Sequence, residues 1–258
     1  MKKLDISVII PFKDHSKMTI SCLESLKKCN LKEILLVDNN SNAKTISEIN
    51  NYLKEYPNPI KLLSFPFKFN YQKINNWAAN QATGKVLWLL NNDVEVENPD
   101  LVEEMYLESL KKETGATGCV LLYEDKKTVQ HAGVYLIPGK TADHLYIRKK
   151  VSTLLKKELP YDFQNNLDLA AVTAASLMVE KTKFDKIKGF NENFIITGWG
   201  SKLIGFNKGF MTHKESISRS HLGIPYIDFI ESYKIYSKHF NTENGDGFID
   251  IRNLKGYL

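Results

Sequence analysis

Arginine is nearly missing from these 258 residues: 35 side chains are Lys or Arg, but Arg148, Arg219 and Arg252 are the only arginines, and the formal charge of +5 rests on scattered lysines. Such scatter reads as a solvated surface and excludes the clustered basic footprint of a nucleic-acid binder. Weak peripheral attraction to an anionic membrane stays open, without a polybasic block or strongly amphipathic helix to specify it. Cysteine is scarce as well. Cys22, Cys29 and Cys119 have no metal-ligand spacing, which argues against a zinc site or disulfide framework and suits a reducing compartment. No apolar run approaches the roughly 20 residues that cross a bilayer. Met1-Lys2-Lys3-Leu4-Asp5 shows no signal-peptide apolar region, so a cytoplasmic location is expected. Neither GxGxxG after the first apolar run nor GxxxxGK[ST] occurs, which removes the dinucleotide fingerprint and the P-loop.

What is present is ordinary globular composition, 43% hydrophobic and 25% charged, in a chain long enough for one large domain or two closely packed halves. Apolar runs alternate with helical periodicity. Strands are expected at Ile6–Ile10, Ile34–Val37, Ile60–Leu63 and Val86–Leu90, and helices at Ser16–Lys28, about Lys44–Glu55, and Asn70–Ala82. This order predicts right-handed crossovers and a mostly parallel α/β sheet with helices on both faces. Further on, a helix is expected over Pro99–Lys112, strands over Thr117–Tyr123 and Val129–Leu136, and a mobile loop over an acceptor site at Pro138–Asn166. A buried strand at Leu169–Val179, a short helix at Thr182–Lys188 closed by Gly189, and a helix at Pro225–Phe240 complete the expectations.

The stretch Val86-Leu87-Trp88-Leu89-Leu90-Asn91-Asn92-Asp93-Val94-Glu95 organises the rest. A fully apolar strand that ends abruptly in polar residues delivers them at its carboxyl end, where open α/β sheets bind ligands. Asp93 with Glu95 is a pair that holds a hard divalent cation, Mn²⁺ or Mg²⁺, which in turn holds a diphosphate. The plainer reading is a strand ending in an Asn-Asp turn. Pro11-Phe12-Lys13-Asp14 and Asp38-Asn39-Asn40 end the other strong strands. Asp38 is suited to accept hydrogen bonds from a nucleobase or ribose while Asp93 takes the metal.

Several stretches together resemble a known family: Ser7-Val8-Ile9-Ile10-Pro11-Phe12-Lys13-Asp14, Val37-Asp38-Asn39, Phe69-Asn70-Tyr71 with Asn75-Asn76, and Leu89 to Val96. Gln130-His131-Ala132-Gly133-Val134, Ala171 to Val179, Gly189-Phe190-Asn191-Glu192 and His213 to Arg219 continue the match in order, over about residues 5–220. They resemble family 2 glycosyltransferases of the GT-A fold, of the branch that elongates bacterial surface polysaccharides and includes rhamnosyl and related transferases. The resemblance implies one GT-A domain over 1–258, with a nucleotide-sugar-binding half at about 1–98 and an acceptor-binding half at about 99–258. It implies a nucleoside-diphosphate sugar donor, a saccharide or lipid-linked acceptor and a divalent cation. It places Pro11, Lys13, Asp38, Asn75, Asn92, Asp93, Thr173 and Ala174 on the donor, and Asp93, Glu95 and His213 on the metal. Trp199 and His131 fall on the acceptor side. Each has a plainer rival. Asp38 can merely end a strand, His131 can be a hydrogen-bonded structural histidine, His213 a surface one, Asn75 and Asn76 backbone partners, and Trp199 a core residue.

One departure stands out. The family carries an acidic pair about ten residues after Gly-Phe-Asn-Glu that supplies the catalytic base, yet residues 193–214 contain no Asp or Glu. Proton transfer of that kind contributes roughly a hundredfold to ten-thousandfold. Three accounts are open: a stretch of the natural chain is missing from this sequence, a natural deletion has left an inactive binder, or another acid, Glu215 or Asp168, substitutes.

Overall fold

The computed structural model describes residues 3–136, 142–156, 159, 162–169, 171–190, 192, 201–205 and 208–214. The chain opens β1 (Leu4–Phe12), α1 (Ser16–Leu26), β2 (Leu31–Asp38), α2 (Ala43–Leu53), β3 (Ile60–Ser64), α3 (Tyr71–Ala79), β4 (Val86–Leu90), β5 (Val94–Val96) and α4 (Pro99–Ser109). It continues with β6 (Ala116–Cys119), β7 (Leu121–Leu122), β8 (Val129–His131), β9 (Val134–Leu136) and β10 (Ala142–His144). A 3-10 turn (Val151–Thr153) leads to β11 (Leu167–Leu169), β12 (Ser176–Glu180), α5 (Lys181–Lys186), β13 (Ser201–Ile204) and β14 (Met211–His213). An eight-stranded sheet has the order β11-β13-β6-β12-β4-β1-β2-β3, and a smaller one the order β5-β14-β7-β8.

Period-two alternation builds the core. On β1, β2 and β4, Ile9, Leu35, Val37, Leu87 and Leu89 join a cluster with Ile74 and Ala78 of α3 and Phe184 of α5. Their neighbours Ile6, Val8, Ile10, Ile34, Leu36, Val86, Trp88 and Leu90 join another with Cys22, Leu23 and Leu26 of α1, Ile49 of α2 and Leu101 and Met105 of α4. Each fully buried Val, Leu, Ile, Phe or Met among them contributes about 1.5–3 kcal/mol. Asn42, Asn70 and Asn98 cap α2, α3 and α4 by accepting N–H bonds from Thr45, Lys73 and Asp100. Gly84 lets the chain enter β4 tightly against β1: a Cβ there would stand 2.4 Å from the Ser7 nitrogen, and its own N–H donates to Ser7 Oγ at 2.7 Å.

The pairing of β1, β2, β3 and β4 is parallel as expected, whereas β12 runs antiparallel to both β4 and β6. Four expectations are corrected. The apolar run 117–123 is not one strand: at Val120 it passes from the large sheet (β6) to the small one (β7). The run 129–136 breaks between β8 and β9 at Gly133, where φ is +107° and a Cβ would meet Leu169 Cδ1 at 2.2 Å. The buried strand expected from Leu169 begins only at Ser176, because residues 173–175 serve as a loop that bonds to α3 and β4's end. The described part of 138–166 is packed rather than a free loop: Leu145, Tyr146, Leu154 and Phe163 are buried in the core. The helix expected at 225–240 lies outside the described residues.

Candidate active site

Phe12 lies opposite Asp38, and Ile9 opposite Leu89, so the segments after β1, β2 and β4 emerge at one sheet edge. Asp38 ends β2 and Asp93 follows β4, with β1 between the two strands, whose axes are on the order of 10 Å apart. Polar side chains stitch the first two loops. Asp14 Oδ1 accepts from the Asn42 backbone N–H and from Asn42 Nδ2, at 2.9 and 2.7 Å. Ser41 Oγ accepts the Asp14 N–H, and Asp38 Oδ1 accepts the Ser41 N–H at 2.9 Å. Asp14, His15 and Asn40 hold left-handed φ values of 54°, 50° and 62° within this seam, a conformation that persists where surroundings over-determine it. Asp38 Oδ2 has no partner among the described residues. Lys13 is exposed at the same edge, and Pro11 is half-buried opposite Val37.

After β4 the chain turns at Asn91-Asn92 and returns as β5 against β14, with Val94 opposite His213 and the Lys214 N–H donating to the Asp93 carbonyl at 2.9 Å. This register brings His213 Nε2 to 3.0 Å from Asp93 Oδ1. The contact is not a hydrogen bond. Asp93 is 2% exposed, and both its carboxylate oxygens are buried without a hydrogen-bond partner among the described residues. Gln130 Oε1 lies against His213 Nδ1, and Asn91 Nδ2 is 3.5 Å from Nε2.

A carboxylate buried in this way costs several kcal/mol unless a cation or donor compensates it. The donor set, a carboxylate oxygen beside an imidazole nitrogen, fits Mn²⁺ or Mg²⁺. Among the described residues no group of three His, Cys, Asp or Glu side chains forms a metal cluster.

Glu95 does not complete the set. Its carboxylate pairs with Lys214 at 2.6 Å and accepts from Ser21 Oγ. Burial alone would raise its pKa, but Lys214 and Ser21 outweigh that and hold it below the usual range. Asn92 turns toward α1, where Nδ2 donates to Thr19 Oγ1 at 3.0 Å. Asn75 is fully enclosed: Nδ2 donates to the Tyr71 carbonyl at 2.7 Å, and Oδ1 has no partner among the described residues. Asn76 brackets Phe190, accepting its N–H and donating to its carbonyl, each at 2.8 Å.

His131 is fully buried with both ring nitrogens engaged, so it faces no acceptor. Nε2 accepts the Thr173 N–H at 3.3 Å, and Nδ1 lies 3.0 Å from His144 Nδ1. Burial, then His144 and His213, push its pKa far down, and the ring is neutral at pH 7. Thr173 and Ala174 lie in the loop before β12, where the Ala174 carbonyl accepts from the Tyr71 hydroxyl and the Ala175 carbonyl from the Asn91 N–H. Asp168 is exposed on β11, the outermost strand of the large sheet. Trp199 and Glu215 lie outside the described residues. Sequence reasoning placed Gln130 near the cleft, with His131, but without a role, and singled out no role for Asn91, Tyr71 or Lys214. The first three sit inside or beside recognised motifs; Lys214 had no signal beyond following His213.

The mixed α/β sheet with its helices is that of the GT-A class, and solved structures agree on the fold. GalNAc-T7 with UDP, GalNAc and Mn²⁺ superposes with a TM-score of 0.64 at 16% identity, over 99% of this chain and 54% of that one. The mannosyltransferase PcManGT from Pyrobaculum calidifontis, in complex with GDP-Man and Mn²⁺, gives 0.57 at 14%, over 84% and 59%. S. aureus TarS 1-349 gives 0.58 at 13%, over 92% and 65%. Residues 7–165 match Glycosyl transferase family 2, and the chain belongs to that family.

Among curated relatives, it is 32% identical over 246 residues to the O-antigen biosynthesis protein RfbC of Myxococcus xanthus, covering 90% of this chain and 19% of that protein. It is 29% identical over 238 residues to the uncharacterized protein y4gI of Sinorhizobium fredii (strain NBRC 101917 / NGR234), covering 85% and 25%. The chain thus spans about a fifth to a quarter of the length of these curated relatives.

Proposed function

We propose that the chain is a metal-dependent, inverting glycosyltransferase. It moves a hexosyl or deoxyhexosyl group from a nucleoside-diphosphate sugar to a saccharide or lipid-linked acceptor in bacterial surface polysaccharide synthesis, at the cytoplasmic face of the membrane. The observation that carries this reading is the Asp93–His213 pair at the carboxyl edge of the parallel strands, whose buried carboxylate oxygens have no hydrogen-bond partner among the described residues. Bound there, Mn²⁺ or Mg²⁺ would neutralise the departing diphosphate.

Asp38, whose Oδ2 has no partner among the described residues, accepts from the nucleoside, and the 173–175 loop flanks the donor sugar. The acceptor oxygen bonds to the anomeric carbon as the bond to diphosphate breaks, and a carboxylate takes the hydroxyl proton. Glu215 and Asp168 are the candidates for that carboxylate. Mn²⁺-dependent release of nucleoside diphosphate from one member of a sugar-nucleotide panel, abolished in Asp93→Ala, is the expected result. Release that persists in Asp93→Ala would reject the metal role.

A second reading is a sugar-nucleotide-binding or partner module without turnover, favoured by the absence of Asp and Glu from 193–214. Donor binding with no diphosphate release, unchanged in Glu215→Gln and Asp168→Asn, would select it.

A further inference from the structure

We infer that Gln130 is a positioning residue that fixes the proton of His213 on Nδ1, so that Nε2 presents its lone pair beside Asp93. The inference rests on the cation reading of that pair. A neutral imidazole carries a single N–H, and which nitrogen holds it is set by the partner of the other. Gln130 Oε1, which can only accept, lies against Nδ1. Asn91 Nδ2, which can only donate, lies 3.5 Å from Nε2. Asp93 Oδ1 is 3.0 Å from Nε2 yet receives no hydrogen bond. Gln130 and Asn91 both fit that tautomer, and a cation held between Nε2 and Asp93 Oδ1 would separate the two lone pairs that otherwise face each other there. With the proton on Nε2, Asp93 would gain a donor, but two lone pairs would oppose each other at Nδ1 and the Asn91 N–H would face another N–H.

The backbone explains why Gln130 can do this. In the order β5-β14-β7-β8, Gln130 reaches from β8 over β7 to the end of β14, and it is 7% exposed, so water does not compete for Nδ1. Successive strand residues point to opposite sides. While Gln130 meets His213, adjacent His131 accepts the Thr173 N–H. One dipeptide therefore holds both the histidine of the pair and the loop before β12.

The test compares the full chain with Gln130→Met, similar in length with no oxygen acceptor, and Gln130→Glu, which keeps one. In metal-free protein labelled with ¹⁵N-histidine, NMR should show His213 with a protonated Nδ1 and an unprotonated Nε2. Gln130→Met should lose that pattern and Gln130→Glu keep it. Mn²⁺ titration followed by electron paramagnetic resonance, with UDP and with GDP, should show affinity about 10–100-fold weaker in Gln130→Met. It should stay within a few-fold of wild type in Gln130→Glu, which also shows that the site tolerates substitution. A wild-type His213 protonated on Nε2, or a Gln130→Met protein that binds Mn²⁺ as wild type does, overturns the inference. No Mn²⁺ binding by the wild type rejects the cation reading instead, and the NMR arm still decides the tautomer.

Discussion

The hydroxyl of Tyr71 donates a 2.7 Å hydrogen bond to the carbonyl of Ala174, joining the first turn of α3 to the loop before β12 across 103 positions of sequence. With the Thr173 N–H on His131 and the Asn91 N–H on the Ala175 carbonyl, the loop is held from three sides. Tyr71→Phe removes one bond and leaves that carbonyl unpaired, at a cost of about 1 kcal/mol. The expected outcome is a small fall in the urea midpoint and a several-fold rise in donor KM with kcat little changed. An unchanged KM would show that the loop does not touch the donor.

Asp93 predicts the opposite sign for stability. Its carboxylate is buried without a hydrogen bond from the described residues, so charge there is costly when no cation is bound. Asp93→Asn keeps the shape and removes the charge. In the presence of a chelator the variant should melt higher than wild type, by roughly 2–4 °C for each kcal/mol gained in a chain of this size. Added Mn²⁺ should raise the wild-type melting temperature and leave the variant where it was. A variant that melts lower in chelator would mean that protein groups, not a cation, compensate Asp93.

The parallel half of the sheet was legible because its signals are local. Val86–Leu90 is an apolar run entered through Gly84 and left through Asn91, and Ile6–Ile10 and Ile34–Val37 read the same way. The second half misled where one apolar run serves two sheets, as at Val120, or where a glycine breaks a run, as at Gly133. Asp93 and His213 could be named from motif order, but the partner of His213 could not. Gln130 lies 83 positions away, and only the pairing of β14 with β7 and of β7 with β8 brings the two together. Glu95 is the converse case: its spacing from Asp93 suggests a joint ligand, while Lys214, brought alongside by β14, takes its charge.

That pairing makes Glu95 testable against Asp93. Because Lys214 and Ser21 occupy its carboxylate, Glu95→Gln should lower Mn²⁺ affinity by less than about threefold, whereas Asp93→Ala should lose most of it. Glu95→Gln should also destabilise the fold by about 1 kcal/mol, since Lys214 loses its ion partner in a partly buried setting. Isothermal titration and urea denaturation read the two effects separately. Equal losses of affinity in both variants would return Glu95 to the metal.

At the opposite end of the sheet, Glu33 sets an acid limit on the fold. It is 5% exposed and accepts from Ser7 Oγ, the Thr83 N–H and hydroxyl, and Lys61 Nζ, at 2.7 to 2.8 Å. Burial alone would raise its pKa, but Lys61, Ser7 and Thr83 outweigh it and bring the carboxyl to about 2 from an ordinary 4.5. A pKa depressed by folding means that the unfolded chain binds the proton more readily. The contribution is complete above about pH 4.5 and fades as pH falls toward 2. Solvent around half-exposed Lys61 screens part of it, leaving a linkage on the order of 2 kcal/mol. Glu33→Gln should therefore be less stable than wild type at pH 7 by about that amount, and the gap should narrow between about pH 4.5 and 2. Urea midpoints at a series of pH values measure it. A gap constant with pH would assign the loss to packing and not to the charged carboxylate.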